Sequence, residues 1–262
     1  MKPVRNVKRR SRLFAIVAAA VLAVLWSGGA PTSTAAEARP GFVEVRYDGG
    51  LWYYEHTDFG FVGYWLGAGW DRTSLVALVD PRGLLAEVKD GALRLWHLNL
   101  ANHELAFVAD VMHGWENARL ITGAGDVNGD AVPDFVEVNT AGELMLWLGR
   151  GTGFVNAGVR SWGWQNARQI TGSGQNRFVE IKTNGELWSW TIPHPNPTEP
   201  WWALGYQTMA GWGNVRLLGP DGLADSFVSV RFDTELVQWT TGQGVFAPIY
   251  HDWGWDNARL LG

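Results

Sequence analysis

One pattern constrains the fold of this chain more than any other: a tryptophan-centred motif that returns along its length. The segment Gly114-Trp115-Glu116-Asn117-Ala118-Arg119-Leu120-Ile121-Thr122-Gly123 recurs as Gly163-Trp164-Gln165-Asn166-Ala167-Arg168-Gln169-Ile170-Thr171-Gly172. It recurs again as Gly211-Trp212-Gly213-Asn214-Val215-Arg216-Leu217-Leu218-Gly219 and as Gly254-Trp255-Asp256-Asn257-Ala258-Arg259-Leu260-Leu261-Gly262. A weaker copy starts at Gly69-Trp70-Asp71-Arg72, and the five tryptophans stand 45, 49, 48 and 43 residues apart. A second motif alternates with the first: Phe42-Val43-Glu44-Val45 with residues 49–54, then 85–88 with 91–96, 135–138 with 142–147, 178–181 with 185–190, and 227–230 with 234–239. Its β-branched and aromatic residues, bounded by Gly, Asn and Asp, predict two short strands around a turn.

Repeats of about 40–50 residues carrying roughly four strands are the mark of propeller blades. The second motif already stands at residue 42, ahead of any Gly-Trp copy, and the fifth Gly-Trp copy ends the given sequence without its second motif. The two part-units add up to one repeat. The expectation is therefore an all-β, five-bladed β-propeller over residues 39–262, closed by pairing of the C-terminal strand with the N-terminal repeat, an arrangement that removes most exposed strand edges. A stack of β-sandwiches is the competing architecture, but sandwiches need no internal repeat.

Residues 1–38 read differently. Lys2, Arg5, Lys8, Arg9, Arg10 and Arg12 precede an apolar run of 14 residues from Leu13 to Trp26, and small residues lead to Ala36-Glu37-Ala38. That order predicts a signal peptide, and the run is short of the roughly 20 residues a spanning helix needs, so the expectation is a secreted, extracellular protein with no membrane span. Its removal leaves 15 basic and 25 acidic residues, a net charge of −10, which disfavours nucleic acid as a partner. The chain has no cysteine, so stability outside the cell rests on core and hydrogen bonds.

The Gly-Trp-x-Asn pattern, the five-fold count and the split closing repeat resemble the tachylectin-type lectins. The stretch Asp126-Val127-Asn128-Gly129-Asp130-Ala131-Val132-Pro133-Asp134 is similar to the FG-GAP or VCBS propeller repeats of secreted bacterial proteins. The first resemblance implies a five-bladed ring with equivalent pockets, one per blade, that bind N-acetylated sugars. The second implies an extracellular protein-interaction or targeting subunit.

Candidate ligand contacts follow from the repeat. An indole offers an apolar face to a sugar ring and an amide answers its hydroxyls, which points to Trp70, Trp115, Trp164, Trp212 and Trp255 with Asn117, Asn166, Asn214 and Asn257. The alternative is that these tryptophans fill the space between blades. Trp96, Trp147, Trp190 and Trp239 lie inside strand patterns and read as core, whereas Trp162 and Trp253 precede two Gly-Trp pairs and break the repeat, which makes them extra contacts at two pockets. Asp126, Asn128, Asp130 and Asp134 occupy positions 1, 3, 5 and 9 of a loop with the Val132 carbonyl at position 7, a spacing of oxygens that suits one structural calcium ion; a plain polar turn is the alternative. The co-occurrence of Arg119, Arg168 and Arg259 with Glu137, Glu180 and Glu44 predicts a charge pair within each of those blades. The segment 192–202, with four prolines and Trp201-Trp202, reads as an irregular outer-strand loop packed at a blade edge, with docking of a protein partner as the alternative.

Nothing in the pattern marks catalysis. The glutamates repeat from blade to blade, whereas a propeller glycosidase needs carboxylates in distinct roles at one centre. The six histidines share no repeat position, and no HExxH or G-x-S-x-G motif occurs. The expectation is a secreted, non-enzymatic carbohydrate-binding protein, with a protein-interaction subunit second and a glycosidase third.

Overall fold

A computed structural model describes residues 41–151, 153–193, 202–242 and 245–262. The signal peptide expected at 1–38 lies outside the described residues, as do residues 194–201 of the proline-rich loop. The chain runs through β1 (Gly41–Arg46), β2 (Leu51–Thr57) and β3 (Gly60–Gly67), then β4 (Thr73–Leu78), β5 (Leu84–Lys89), β6 (Ala92–Asn99) and β7 (Glu104–His113). It continues through β8 (Ala118–Gly125), β9 (Asp134–Asn139), β10 (Glu143–Arg150) and β11 (Gly153–Trp162), then β12 (Ala167–Gly174), β13 (Arg177–Lys182), β14 (Leu187–Thr191) and β15 (Leu204–Met209). It ends with β16 (Val215–Pro220), β17 (Ser226–Arg231), β18 (Leu236–Gly242), β19 (Val245–Asp252) and β20 (Ala258–Leu261).

These strands form five four-stranded antiparallel sheets, ordered β20-β1-β2-β3, β4 to β7, β8 to β11, β12 to β15 and β16 to β19, here blades I to V in that order. β4, β8, β12, β16 and β20 each pack on the next around a closed circle, so they are the inner strands of a five-bladed propeller. The predicted closure is present. Glu44 pairs with Leu261 and Val45 with Leu260, while Val43 N donates to Gly262 O at 2.7 Å and Gly262 N to Val43 O at 3.0 Å.

Two glycine positions in the repeat have separate physical causes. The glycine before each repeated tryptophan has φ of +97° at Gly69, +93° at Gly114, +90° at Gly163, +91° at Gly211 and +94° at Gly254, a left-handed conformation that a side chain resists. The glycine that closes the motif sits where inner strands converge. A Cβ at Gly123 would stand 2.5 Å from Val79 O, and one at Gly172 would stand 2.7 Å from Gly123 O. The core is divided among the blade interfaces, each filled by the aliphatic residues of two neighbouring sheets around one repeated tryptophan.

Candidate functional site

The repeated tryptophans are the seams of the ring. Trp70, Trp115, Trp164, Trp212 and Trp255 are between 2% and 5% exposed. Each ring packs on the aromatic of the third strand of the blade it leads into: Trp70 on Trp96 at 5.3 Å, Trp115 on Trp147 at 4.9 Å, Trp164 on Trp190 at 4.5 Å, Trp212 on Trp239 at 4.6 Å and Trp255 on Tyr54 at 4.6 Å. Rings this enclosed have no free face for a pyranose, so the assignment of these five as sugar platforms is corrected: they fill the space between blades.

The asparagines that accompany them act through the main chain. Asn117 O accepts from Thr140 N at 2.8 Å, Asn166 O from Thr183 N at 2.8 Å, Asn214 O from Phe232 N at 2.9 Å and Asn257 O from Tyr47 N at 3.0 Å. The side chains of Asn117, Asn166 and Asn214 are exposed, separated from any free indole face by the burial of the neighbouring tryptophan.

The repeated arginine and glutamate do not pair within a blade. The arginine forks onto the Gly-Trp turn of the following blade: Arg168 donates to Trp212 O at 2.7 Å and Gly213 O at 3.1 Å, and Arg259 to Trp70 O at 2.6 Å and Thr73 O at 2.7 Å. Arg119 makes the same fork to Trp164 O and Ala167 O, and Arg216 to Trp255 O and Ala258 O. Blade II has Ser74 at this position, whose hydroxyl turns to Val88 O of its own blade at 3.0 Å. The glutamate instead accepts from the third-strand aromatic. Trp96 Nε1 reaches Glu87 at 2.9 Å, Trp147 Nε1 reaches Glu137 at 2.8 Å and Trp190 Nε1 reaches Glu180 at 2.9 Å, with Ser229 receiving Trp239 Nε1 at 2.9 Å in blade V. Burial pushes the carboxyl of Glu180 up to about 7, partly offset by Lys182, the indole N–H and Arg119, and pushes Glu137 up as well.

The acidic loop closes on its own amides. Asp126 Oδ1 accepts from Gly129 N at 2.7 Å and Asp130 N at 3.1 Å, its Oδ2 accepts from Ala131 N at 2.8 Å, and Asn128 Nδ2 donates to Asp130 Oδ2 at 2.9 Å. Asp134 is fully buried, and its two oxygens accept from Val127 N and Gly149 N, both at 2.8 Å. Desolvation raises its carboxyl to about 6, against the pull of those two amides. The four side chains thus do not present a shared set of free oxygens, and no group of three or more acidic or histidine side chains among the described residues is placed to hold a metal. The loop as it stands is a hydrogen-bonded turn.

Three of the exposed aromatics lie elsewhere, where the repeat is broken. Trp162, at the end of β11, is 59% exposed; Trp202, just before β15 of the next blade, is 40% exposed, and the two ring centroids stand 5.1 Å apart with planes at 43°. Ala203 N donates to Arg160 O at 3.1 Å, which ties the two segments together across the seam of blades III and IV. Trp253 holds the position of Trp162 at the end of β19 and is 63% exposed. The other blades carry Ala68, His113 and Ala210 there. Reading the sequence singled out Trp162 and Trp253 but missed the pairing with Trp202, which comes from a non-repeated loop and has no counterpart by which to align it. The described residues include no helix long and apolar enough to cross a membrane.

No protein-family model matches the chain, and no curated protein matches it. Among solved structures it is similar to a protein from Lactobacillus plantarum at 12% identity, covering 82% of this chain and 67% of that one with a TM-score of 0.42. It is similar to the WD40 β-propeller domain of Doa1 at 12% identity, covering 84% and 67% with a TM-score of 0.38. It is also similar to a chain of a nidogen/laminin complex at 8% identity, covering 84% and 97% with a TM-score of 0.47.

Proposed function

We propose that this propeller is a carbohydrate-binding protein without catalysis, and that it recognises glycans with aromatic side chains exposed on its outer seams. The observation that carries the reading is the Trp162–Trp202 pair, two indoles 5.1 Å apart, exposed to solvent, one on β11 of blade III and the other just ahead of β15 of blade IV. Two exposed indoles packed side by side make a contiguous apolar patch, the kind of surface that marks a binding site. A tilted pair offers two apolar faces to the C–H faces of sugar rings, with Nε1–H groups free to meet hydroxyls. Trp253 supplies a second, simpler platform at the matching position of blade V. Several weak platforms on a rigid ring raise avidity toward a polymer or cell surface.

The reading includes export, on the basic, apolar and small-residue order of residues 1–38, and N-acetylated sugars as the first class to test, on the resemblance of the repeat to the tachylectin type. A glycan array probed with the mature domain, with competition by free N-acetylglucosamine, tests it. Binding competed by the sugar and weakened in Trp162→Ala supports the reading. Absence of any glycan binding sinks it and leaves a protein partner on the same aromatics.

A further inference from the structure

The inner strands leave a cavity of about 340 Å³ at the mouth of the central channel, lined by residues of all five, including Ser74, Arg119, Arg168, Gln169 and Arg259. Arg119, Arg168 and Arg259, from blades III, IV and I, are among the residues that line one small volume, and no Asp or Glu lines it. The protein otherwise carries an excess of acids, so this concentration of positive charge runs against its overall balance. The opposite mouth is lined mostly by apolar residues such as Leu78, Val79, Gly123 and Leu223, with Asp80 and Gln175 among them.

The arginines are fixed before any ligand arrives. Each is held by two carbonyls of the next blade, which uses two of its five N–H donors and aligns the plane of the group. Arg168 Nε is buried with no partner. Desolvation works against the charge of Arg119 and Arg168, with Glu180 the acid that offsets it for Arg119. That acid stands on β13 with its carboxyl engaged by Trp190 Nε1. The fifth position of the ring is Ser74, whose small side chain leaves room where another guanidinium would stand.

We propose that this mouth binds a tetrahedral oxyanion, sulfate or phosphate, either free or as an ester on a sugar. A cleft with one sign of charge and low-dielectric walls concentrates counter-ions, and preoriented arginines match oxyanion geometry. At about 340 Å³ the cavity has room for a sugar-sized carrier as well as the anion. The site is separate from the outer tryptophans, so Trp162→Ala leaves it intact whatever becomes of glycan binding.

Calorimetric titration of the mature domain with sodium sulfate, against sodium chloride at matched ionic strength, tests the proposal. The expected result is saturable binding near one per chain, weakened at least about tenfold in Gln169→Glu, which adds a carboxylate to the mouth and leaves every arginine clamp in place. Ser74→Asp repeats the test from the facing blade in case the first variant does not fold. A parallel titration with N-acetylglucosamine 6-sulfate and with N-acetylglucosamine separates the sources. The ester binding more tightly than sulfate and than the unsulfated sugar assigns the site to an esterified glycan; equal affinity for ester and sulfate assigns it to the free anion. No saturable binding of sulfate, phosphate or the ester, or binding unchanged in both variants, overturns the proposal.

Discussion

Replacing Arg259 with methionine tests the inter-blade clamp where it matters most. This side chain lies on the closing strand and donates to Trp70 O at 2.6 Å and Thr73 O at 2.7 Å, joining positions 189 and 186 residues apart in the chain. Methionine keeps much of the apolar stem and removes the fork. A hydrogen bond to a charged group contributes about 1.5–3 kcal/mol in a buried setting. The side chain is only half-buried, and Trp70 O keeps Thr73 N as a donor at 3.1 Å, so the two bonds together are worth less than their sum. An expected loss of about 2–4 kcal/mol remains, a large part of a typical domain's roughly 5–15 kcal/mol. For a domain of this size that lowers Tm by roughly 4–16 °C. Thermal unfolding followed by near-ultraviolet circular dichroism reads it through the buried tryptophans. Ser74→Ala is the control, because that position has no clamp and its hydroxyl serves only Val88 O; it should cost less than about 1 kcal/mol. Arg259→Met melting within about 1 °C of wild type, or no lower than Ser74→Ala, would refute the clamp as a source of ring stability.

Trp162→Ala and Trp202→Ala should each weaken glycan binding by about 1–2 kcal/mol, roughly five- to thirty-fold, with Tm unchanged. Trp164→Ala should instead cost about 3–5 kcal/mol of stability, and the reverse pattern would return the sugar site to the buried set. Glu180 is an acid whose folded pKa, about 7, lies above its ordinary 4.5, so the fold favours its neutral form and wild-type stability falls as pH rises through that window. Glu180→Gln still accepts from Trp190 Nε1 and should gain about 3 kcal/mol on wild type between pH 4.5 and pH 8; chemical denaturation curves that stay parallel over that range would exclude burial as the cause of the shift. Millimolar calcium added to chelator-treated protein at pH 7.5 should leave Tm within about 1 °C, and a rise of several degrees would show that Asp126, Asn128, Asp130 and Asp134 rearrange around the ion.

The ring itself was legible because closure imposes the same demands at every seam. Each blade needs a left-handed glycine ahead of the seam tryptophan and an indole of one size, so the Gly-Trp pair recurs in all five, and four of the inner strands also close the motif on a glycine, Gly123, Gly172, Gly219 and Gly262. Partner assignment was not legible for the same reason. Arg119 and Glu137 recur together whether they meet each other or, as observed, serve a carbonyl of the next blade and an indole of their own. Recurrence fixes position in the repeat unit but not the direction in which a side chain points, and the main-chain role of Asn117 and its equivalents leaves no trace in side-chain chemistry. The acidic loop is ambiguous for a related reason, since the short polar side chains that wrap a cation also satisfy the amides of a tight turn, and the burial of Asp134 under Gly149 depends on a strand 15 residues away.

A closed ring repeats whatever it needs once per seam, and a residue under that demand in every blade has little freedom to meet a ligand. Aromatic ligand contacts are therefore expected at departures from the repeat. Trp162 and Trp253 stand where other blades carry Ala68, His113 and Ala210; Trp202 comes from a loop without counterpart; and Ser74 interrupts the arginine series at the channel mouth. Substituting tryptophan for Ala210, at the seam of blades IV and V, tests the principle by construction. That position is exposed and ends no strand hydrogen-bond ladder, so the variant should fold with Tm unchanged. It should also raise avidity for an immobilised polymeric glycan several-fold while leaving monosaccharide affinity at Trp162 unaltered. A third indole at this repeat position that adds nothing to polymer binding would show that the Trp162–Trp202 pairing, rather than exposure there, makes the platform.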